Sequence, residues 1–244
     1  MPTLIEMRLK ATWTVHPDTR QLHGLACALF ENDDSTGHAS QHKPFTVSPL
    51  HPVPGSPDGE WHWRAAWLPD TLPPAAALTA GTLRVGHVRC VVTESAQRRV
   101  THAALASGQP LAEVTVAFTS PTYFSQNGTD TVQPDPRLIA GSWHRRWNSS
   151  LPDADPLAIG NDDWAATHRL IALAAFDLRT ERSDTGHGRD RAGFTGTATL
   201  RLARNAPASA RKILGTLARF AEYGGTGAQV THGFGATTMT SPNT

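Results

Sequence analysis

Ile5-Glu6-Met7-Arg8-Leu9-Lys10-Ala11-Thr12-Trp13 alternates apolar and polar residues, the period of two that marks a strand with one buried face. Pro17 and Asp18 end the run. Leu22, Leu25, Ala26, Leu29 and Phe30 then fall at helical spacing, with Asp18 or Thr19 placed to cap the helix. Beyond a polar loop from Asn32 to His42, strands are expected at Phe45–Ser48, at Trp61–Leu68 and at Leu83–Thr93, with a short helix near Pro73–Ala80. Strand, helix, strand, strand, helix, strand is the order of a ferredoxin-like unit, an antiparallel sheet covered on one face by two helices.

The same order can be read again further on. Val114–Phe118 reads as a strand, Arg137–Trp147 as a helix, and Leu170–Leu178 and Phe194–Leu202 as strands. Ser209 is placed to cap a helix reaching Tyr223, with Ile213, Leu214, Leu217, Phe220 and Ala221 on one face, and a last strand is expected at His232–Met239. The fold class is therefore α+β, two tandem ferredoxin-like domains at residues 1–105 and 111–244, with no visible sequence repeat between them.

The length of 244 residues suits two modest domains with real cores. The two cysteines, Cys27 and Cys90, are too few for a disulfide framework or a four-thiolate metal site, which implies a reducing compartment. No run of apolar residues is long enough for a membrane span, and Glu6 interrupts the N-terminal apolar stretch that a signal peptide needs. A cytoplasmic protein without membrane attachment is expected. The 22 Lys plus Arg nearly balance the 21 Asp plus Glu, and only Lys10, Lys43 and Lys212 of the basic residues are lysines. Bulk attraction to nucleic acid is excluded by that balance, whereas local attraction is not.

Gly224-Gly225-Thr226-Gly227-Ala228-Gln229-Val230-Thr231-His232-Gly233-Phe234-Gly235 lies between an amphipathic helix and the last strand. Its glycines let the backbone approach a ligand closely and present peptide N–H groups to phosphate, or simply make a turn. It is no dinucleotide fingerprint, because the order is helix, loop, strand, and no Gly-Lys-Ser/Thr makes it a P-loop.

Phe220-Ala221-Glu222-Tyr223 with Gly225-x-Gly227 and Gly233-Phe234-Gly235 closely resembles the C-terminal signature of the CRISPR-associated repeat-processing endoribonucleases of the RAMP superfamily. Lys43-Pro44-Phe45-Thr46-Val47-Ser48-Pro49-Leu50 resembles that family's segment after the first helix, and Phe118-Thr119-Ser120-Pro121-Thr122 with Trp143 to Asn148 its central region. The resemblance implies the tandem ferredoxin-like fold. It also implies metal-independent cleavage of CRISPR precursor transcripts within repeats, with no cofactor. The 2′-hydroxyl attacks the scissile phosphate and leaves a 2′,3′-cyclic phosphate and a 5′-hydroxyl. The implied partner is repeat RNA, with CRISPR effector subunits or a second copy of the chain as further partners. A non-catalytic RNA-binding subunit of an effector complex is the alternative that the same fold allows.

That chemistry needs a base, an acid and positive charge at the phosphoryl group. The family usually carries its catalytic histidine after the first helix, where this chain has His38 and His42, and Lys43 matches a residue that helps hold the phosphate. His38 has the better-matched distance from the Lys-Pro-Phe-Thr segment. His23 and Cys27 share a face of the first helix; Cys27 stands near where a tyrosine is expected, so His23 is the candidate second acid–base group. The other histidines, His16, His51, His62, His87, His102, His168 and His187, read as surface residues, and His232 as a plain strand residue. His38 and His42 lack the Cys or carboxylate neighbours of a zinc site, and Asp33-Asp34 and Asp162-Asp163 read as solvated loop charges.

RNA contacts are expected from Arg137, Arg145 and Arg146, from Arg211 and Lys212, and from the backbone of Gly225, Gly227, Gly233 and Gly235. Residues 201–244 hold Arg201, Arg204, Arg211, Lys212 and Arg219 against Glu222 alone. Many members of the resembling family carry a basic pair just after the second glycine of the loop. Here those positions are Ala228 and Gln229.

Overall fold

The computed structural model describes residues 1–11, 17–31, 43–56, 59–186 and 190–240. In β1 (Thr3–Lys10) the alternation becomes burial: Ile5, Met7 and Leu9 are buried, and Glu6 and Lys10 are exposed. Asp18 caps α1 (Thr19–Phe30), accepting hydrogen bonds from the N–H groups of Arg20 and Gln21, while the Gln21 side chain accepts from the Asp18 N–H. Leu22, Leu25 and Leu29 of this helix pack on Ile5, Met7, Leu9 and Trp63 in the first core. There follow β2 (Phe45–Val47), β3 (His51–Pro52), β4 (Glu60–Trp67), α2 (Ala75–Thr79), β5 (Thr82–Val85) and β6 (Val88–Arg99). The antiparallel sheet runs β2-β4-β1-β6-β5, with β3 also on β4.

The second half opens with α3 (His102–Ser107), β7 (Glu113–Thr122) and the small hairpin β8 (Phe124–Gln126) and β9 (Thr129–Thr131). It continues through α4 (Pro136–Ser150), α5 (Asn161–His168), β10 (Ile171–Asp184), β11 (Asp190–Leu202), α6 (Ala208–Gly224), a 3-10 turn at Val230–His232, and β12 (Thr237–Thr240). Its sheet runs β10-β11-β7-β12, and α4 and α6 bury Ile139, Trp143, Leu214, Leu217 and Phe220 against it. In each sheet the first strand of the unit lies between the third and the fourth, so the fold is two ferredoxin-like units in tandem. No helix among the described residues is long and apolar enough to cross a membrane.

Several elements depart from the sequence reading. The expected strand Leu83–Thr93 is a hairpin that turns at Gly86-His87. β10 and β11 outrun their apolar stretches, because a two-stranded ribbon is held by its ladder without a core beneath it. The helix expected to start at Ser209 is preceded by Pro207, and Ser209 lies inside its first turn. The last strand begins at Thr237, and His232 belongs to the 3-10 turn. Asp162 and Asp163 occupy the first turn of α5, where negative charge suits the helix dipole.

His102, expected on the surface, is fully buried between the halves. Its Nε2 lies 2.8 Å from Ser150 Oγ and its Nδ1 3.1 Å from Asp70 Oδ1, with Trp147 edge-on at 5.0 Å. The Met1 amine, 3.4 Å from the same carboxylate, adds the N-terminus to this junction.

The glycine loop is packed into the second half. Gly235 has φ +67°, and a Cβ there would lie 1.8 Å from the Thr226 carbonyl oxygen; Gly227 has φ +79°, and a Cβ there would lie 2.3 Å from the Tyr123 carbonyl oxygen. Both positions need glycine for conformation and for space. The substitution G235A is expected to lower stability by about 2–4 kcal/mol, read as the urea midpoint. An unchanged midpoint would show that this close approach does not exist.

Burial lowers the pKa of His102, His144 and His232 from the ordinary 6.5. The unfolded chain therefore takes up these protons first, so their contribution to stability is complete above pH 6.5 and is lost as the pH falls through the lower folded values. Melting temperature should decline in acid from about pH 6.5 downward, and H102N should make the decline shallower. A profile flat from pH 7 to 4 would contradict this.

Candidate functional site

A cleft of about 370 Å³ opens where the two halves meet, lined among others by Lys43, Arg145, Arg146, Ser149, Gln229 and His232. No carboxylate is among its described lining residues. Its floor comes from the glycine loop, and α4 holds that loop in place. Trp143 Nε1 donates to Thr226 Oγ1 at 2.8 Å, and Ser142 Oγ accepts from the Gly227 N–H at 3.1 Å. The Arg146 guanidinium donates to the carbonyls of Gly225 and Gly227. Burial, with Arg145 alongside, lowers Arg146 to about 10, and it has no carboxylate partner among the described residues.

The clamped loop delivers the 3-10 turn to α1 of the other half. The carbonyl of Thr231 lies 2.9 Å from His23 Nδ1, and because a carbonyl only accepts, Nδ1 carries the proton. His232 stacks on His23, centroids 3.9 Å apart and planes 8° from parallel. Burial, then the charges of His23 and Arg20, lowers His232 to about 4. A cation on His232 is therefore disfavoured at neutral pH. His23 Nε2 faces Cys27 Sγ at 3.5 Å, and burial, with Glu31 next, pushes the Cys27 thiol up to about 11. That thiol stays protonated and is no acid–base group at neutral pH.

Glu31, at the C-cap of α1, pairs with the Lys43 ammonium, both side chains being largely buried. Glu31 and Lys43 are the described residues on either side of residues 32–42. His38 and His42 lie in that segment, outside the described residues.

The other expected site residues are scattered. Arg145 is exposed on the cleft wall, whereas Arg137 is exposed at the start of α4, roughly 12 Å along the helix axis from it. Arg211 and Lys212 lie in the first turn of α6, roughly 18 Å along the axis from the glycine loop at its other end. The N–H groups of Gly225, Gly227 and Gly235 donate to Ala221 O, Ser142 Oγ and Pro121 O, so these three give none to a ligand. Gly233 is buried and ends the 3-10 turn. Among the described residues no group of three or more His, Cys, Asp or Glu is placed to hold a metal ion.

Sequence reasoning missed Glu31, Ser142, Thr231 and the stacking role of His232. Glu31 alone left a signal, since His23, Cys27 and Glu31 are spaced four apart and share a helical face.

The family model of the CRISPR-associated endoribonuclease Cas6 matches residues 116–237, half of the chain. Among solved structures, a product complex of Cas6 (TTHB231) superposes with a TM-score of 0.84 at 27% identity, covering 98% of this chain and 100% of that one. A product complex of Cas6 (TTHA0078) gives 0.81 at 26% identity over 98% and 100%. A further structure of Cas6 (TTHB231), from Thermus thermophilus, gives 0.75 at 27% over 98% and 98%. No curated protein matches by sequence. The match to the glycine-loop half of the chain, together with the same fold over nearly all of it at these identities, makes this chain a member of the Cas6 family of CRISPR-associated endoribonucleases.

Proposed function

We propose that the chain cuts CRISPR precursor transcripts within their repeats, in the cytoplasm, through two ferredoxin-like domains at 1–105 and 111–244 that meet at the cleft. The observation that carries this reading is the convergence of Lys43, Arg145 and Arg146 with the His23–His232 stack, in a chain whose sequence puts His38 and His42 shortly before Lys43. The similar structures include product and substrate-mimic complexes of Cas6 proteins, which supports repeat RNA as the ligand.

The reaction needs no metal. A histidine base, His38 or His42, takes the proton of the 2′-hydroxyl, whose oxygen forms a bond to phosphorus as the bond to the 5′-oxygen breaks. A second group returns a proton to the departing 5′-oxygen, and His23 is the candidate on α1. The products are a 2′,3′-cyclic phosphate and a 5′-hydroxyl, and no water is consumed. Lys43 and Arg145 supply positive charge to the crowded phosphoryl group. Arg146 sets the loop that holds His23, and its charge adds to the same field. Glu31 keeps Lys43 at the cleft wall. Effector subunits and a second copy of the chain belong to the same proposal; the native mass with and without RNA reads them.

Cleavage of a panel of repeat RNAs should persist in excess chelator and stop with a single 2′-deoxy substitution upstream of the cut. Cutting of the deoxy RNA, or loss of cutting in chelator, would sink the mechanism. Tight binding of several repeats without cutting would favour a non-catalytic RNA-binding subunit. H38A and H42A, made separately, should identify the base by a loss of about 10²–10⁴ in the single-turnover rate. The site assignment is wrong if neither slows the reaction. R146K should weaken cleavage and lower the melting temperature together, because an ammonium lacks the fork that bridges two carbonyls. An unaltered melting temperature would remove Arg146 from the loop-holding role.

A further inference from the structure

Gln229 stands out in the glycine loop. Its backbone is left-handed, φ 51° and ψ 35°, whereas the other positive-φ residues of the loop, Gly225, Gly227, Gly233 and Gly235, are glycines. Glycine would adopt this conformation without the Cβ clash that an L side chain meets. The conformation itself is needed, since the Gln229 carbonyl accepts from the N–H groups of His232 at 2.9 Å and Phe234 at 3.3 Å and so starts the turn beneath His23. The side chain is not needed for that turn. It is exposed, it lines the cleft with Lys43 and Arg145, and it makes no hydrogen bond among the described residues. A long amide thus stands at a position that glycine would fill with less strain, and it lines the cleft.

The chemistry of the amide narrows what it meets. Lys43, Arg145 and Arg146 already supply charge for phosphates, and a neutral amide adds little to that attraction. An amide offers one donor and one acceptor side by side, which suits a base edge presenting the complementary pair. Adenine presents such a pair on both its edges, N6–H with N1 and N6–H with N7. Guanine's Hoogsteen edge offers only the acceptors N7 and O6, and its donor–acceptor pair, O6 with N1–H, lies on the Watson–Crick edge. The pyrimidines likewise offer such pairs on the Watson–Crick edge only, and adenine alone offers them on both. Unpaired RNA bases expose these edges to side chains.

We infer that Gln229 is a specificity-determining residue that reads an adenine of the RNA strand held in the cleft. The inference rests on the endoribonuclease reading above.

The test uses the repeat RNA that the full-length wild type cuts fastest, with each adenine near the cut replaced singly by purine riboside, which lacks the N6 amino group. Wild type should lose about tenfold in single-turnover rate at one of these positions. Q229A should already be slower by a similar factor on the natural RNA and indifferent to the change at that position, a non-additive cycle. Q229G should melt at or above the wild-type temperature yet cut the natural RNA as slowly as Q229A. The inference falls if Q229A and wild type respond alike at every adenine, or if Q229G cuts as fast as wild type. Wild type that cuts no repeat in the panel overturns the endoribonuclease reading and this inference with it. Wild type that cuts normally with no adenine dependence overturns this inference alone.

Discussion

A half-buried guanidinium gripping two peptide carbonyls is the constraint on which the rest of the site depends. Arg146 bridges Gly225 and Gly227 at the end of α6, where a helix has just released its last carbonyls and needs partners for them. Trp143 and Ser142, earlier on the same helix, add bonds to Thr226 and Gly227. The loop is thereby fixed to α4 before it turns at Gln229. Only a loop held this firmly can offer the Thr231 carbonyl and the His232 ring to a helix in the other half of the chain.

That cross-chain contact makes the site composite. His23, Glu31 and Lys43 come from the first ferredoxin-like unit, and the arginines and the glycine loop from the second. Other contacts keep the halves in register. Thr46 Oγ1 donates to the Tyr223 carbonyl, Arg64 donates to the Thr237 carbonyl, and Arg98 pairs with Glu222. Leu4, Ala66 and Leu68 pass from the first sheet into the second core, and His102 sits beneath with Asp70 and Ser150. Relative motion of the halves would pull Lys43 away from Arg145, so this bonded seam sets the geometry of the cleft as well as stability.

Much of the fold was legible because single elements announce themselves. The alternation from Ile5 to Leu9 and the apolar face of α6 reflect burial on one side of a strand or helix, a property that each segment carries alone. The errors fell where local pattern and pairing part company. β10 and β11 continue past residue 178 because each supplies the other's hydrogen bonds, and no hydrophobic period records that. His232 looked like a strand residue because the left-handed Gln229 that turns the chain leaves no apolar signature.

The basic residues divide in the same way. Arg137, Arg145, Arg146, Arg211 and Lys212 are alike in a composition count, yet one clamps a loop, one faces the cleft, and three lie well away from it. By itself the sequence determined the two units, most of their helices and strands, the family signature and the region after the first helix where catalysis is expected, because these depend on local periodicity and contiguous motifs. Tertiary structure alone decided that the N–H groups of Gly225, Gly227 and Gly235 bond within the fold, that His232 joins His23, and that Glu31 holds Lys43. Each of those facts is a distance between groups far apart in the chain or across a turn, and such distances are set by how the two halves dock.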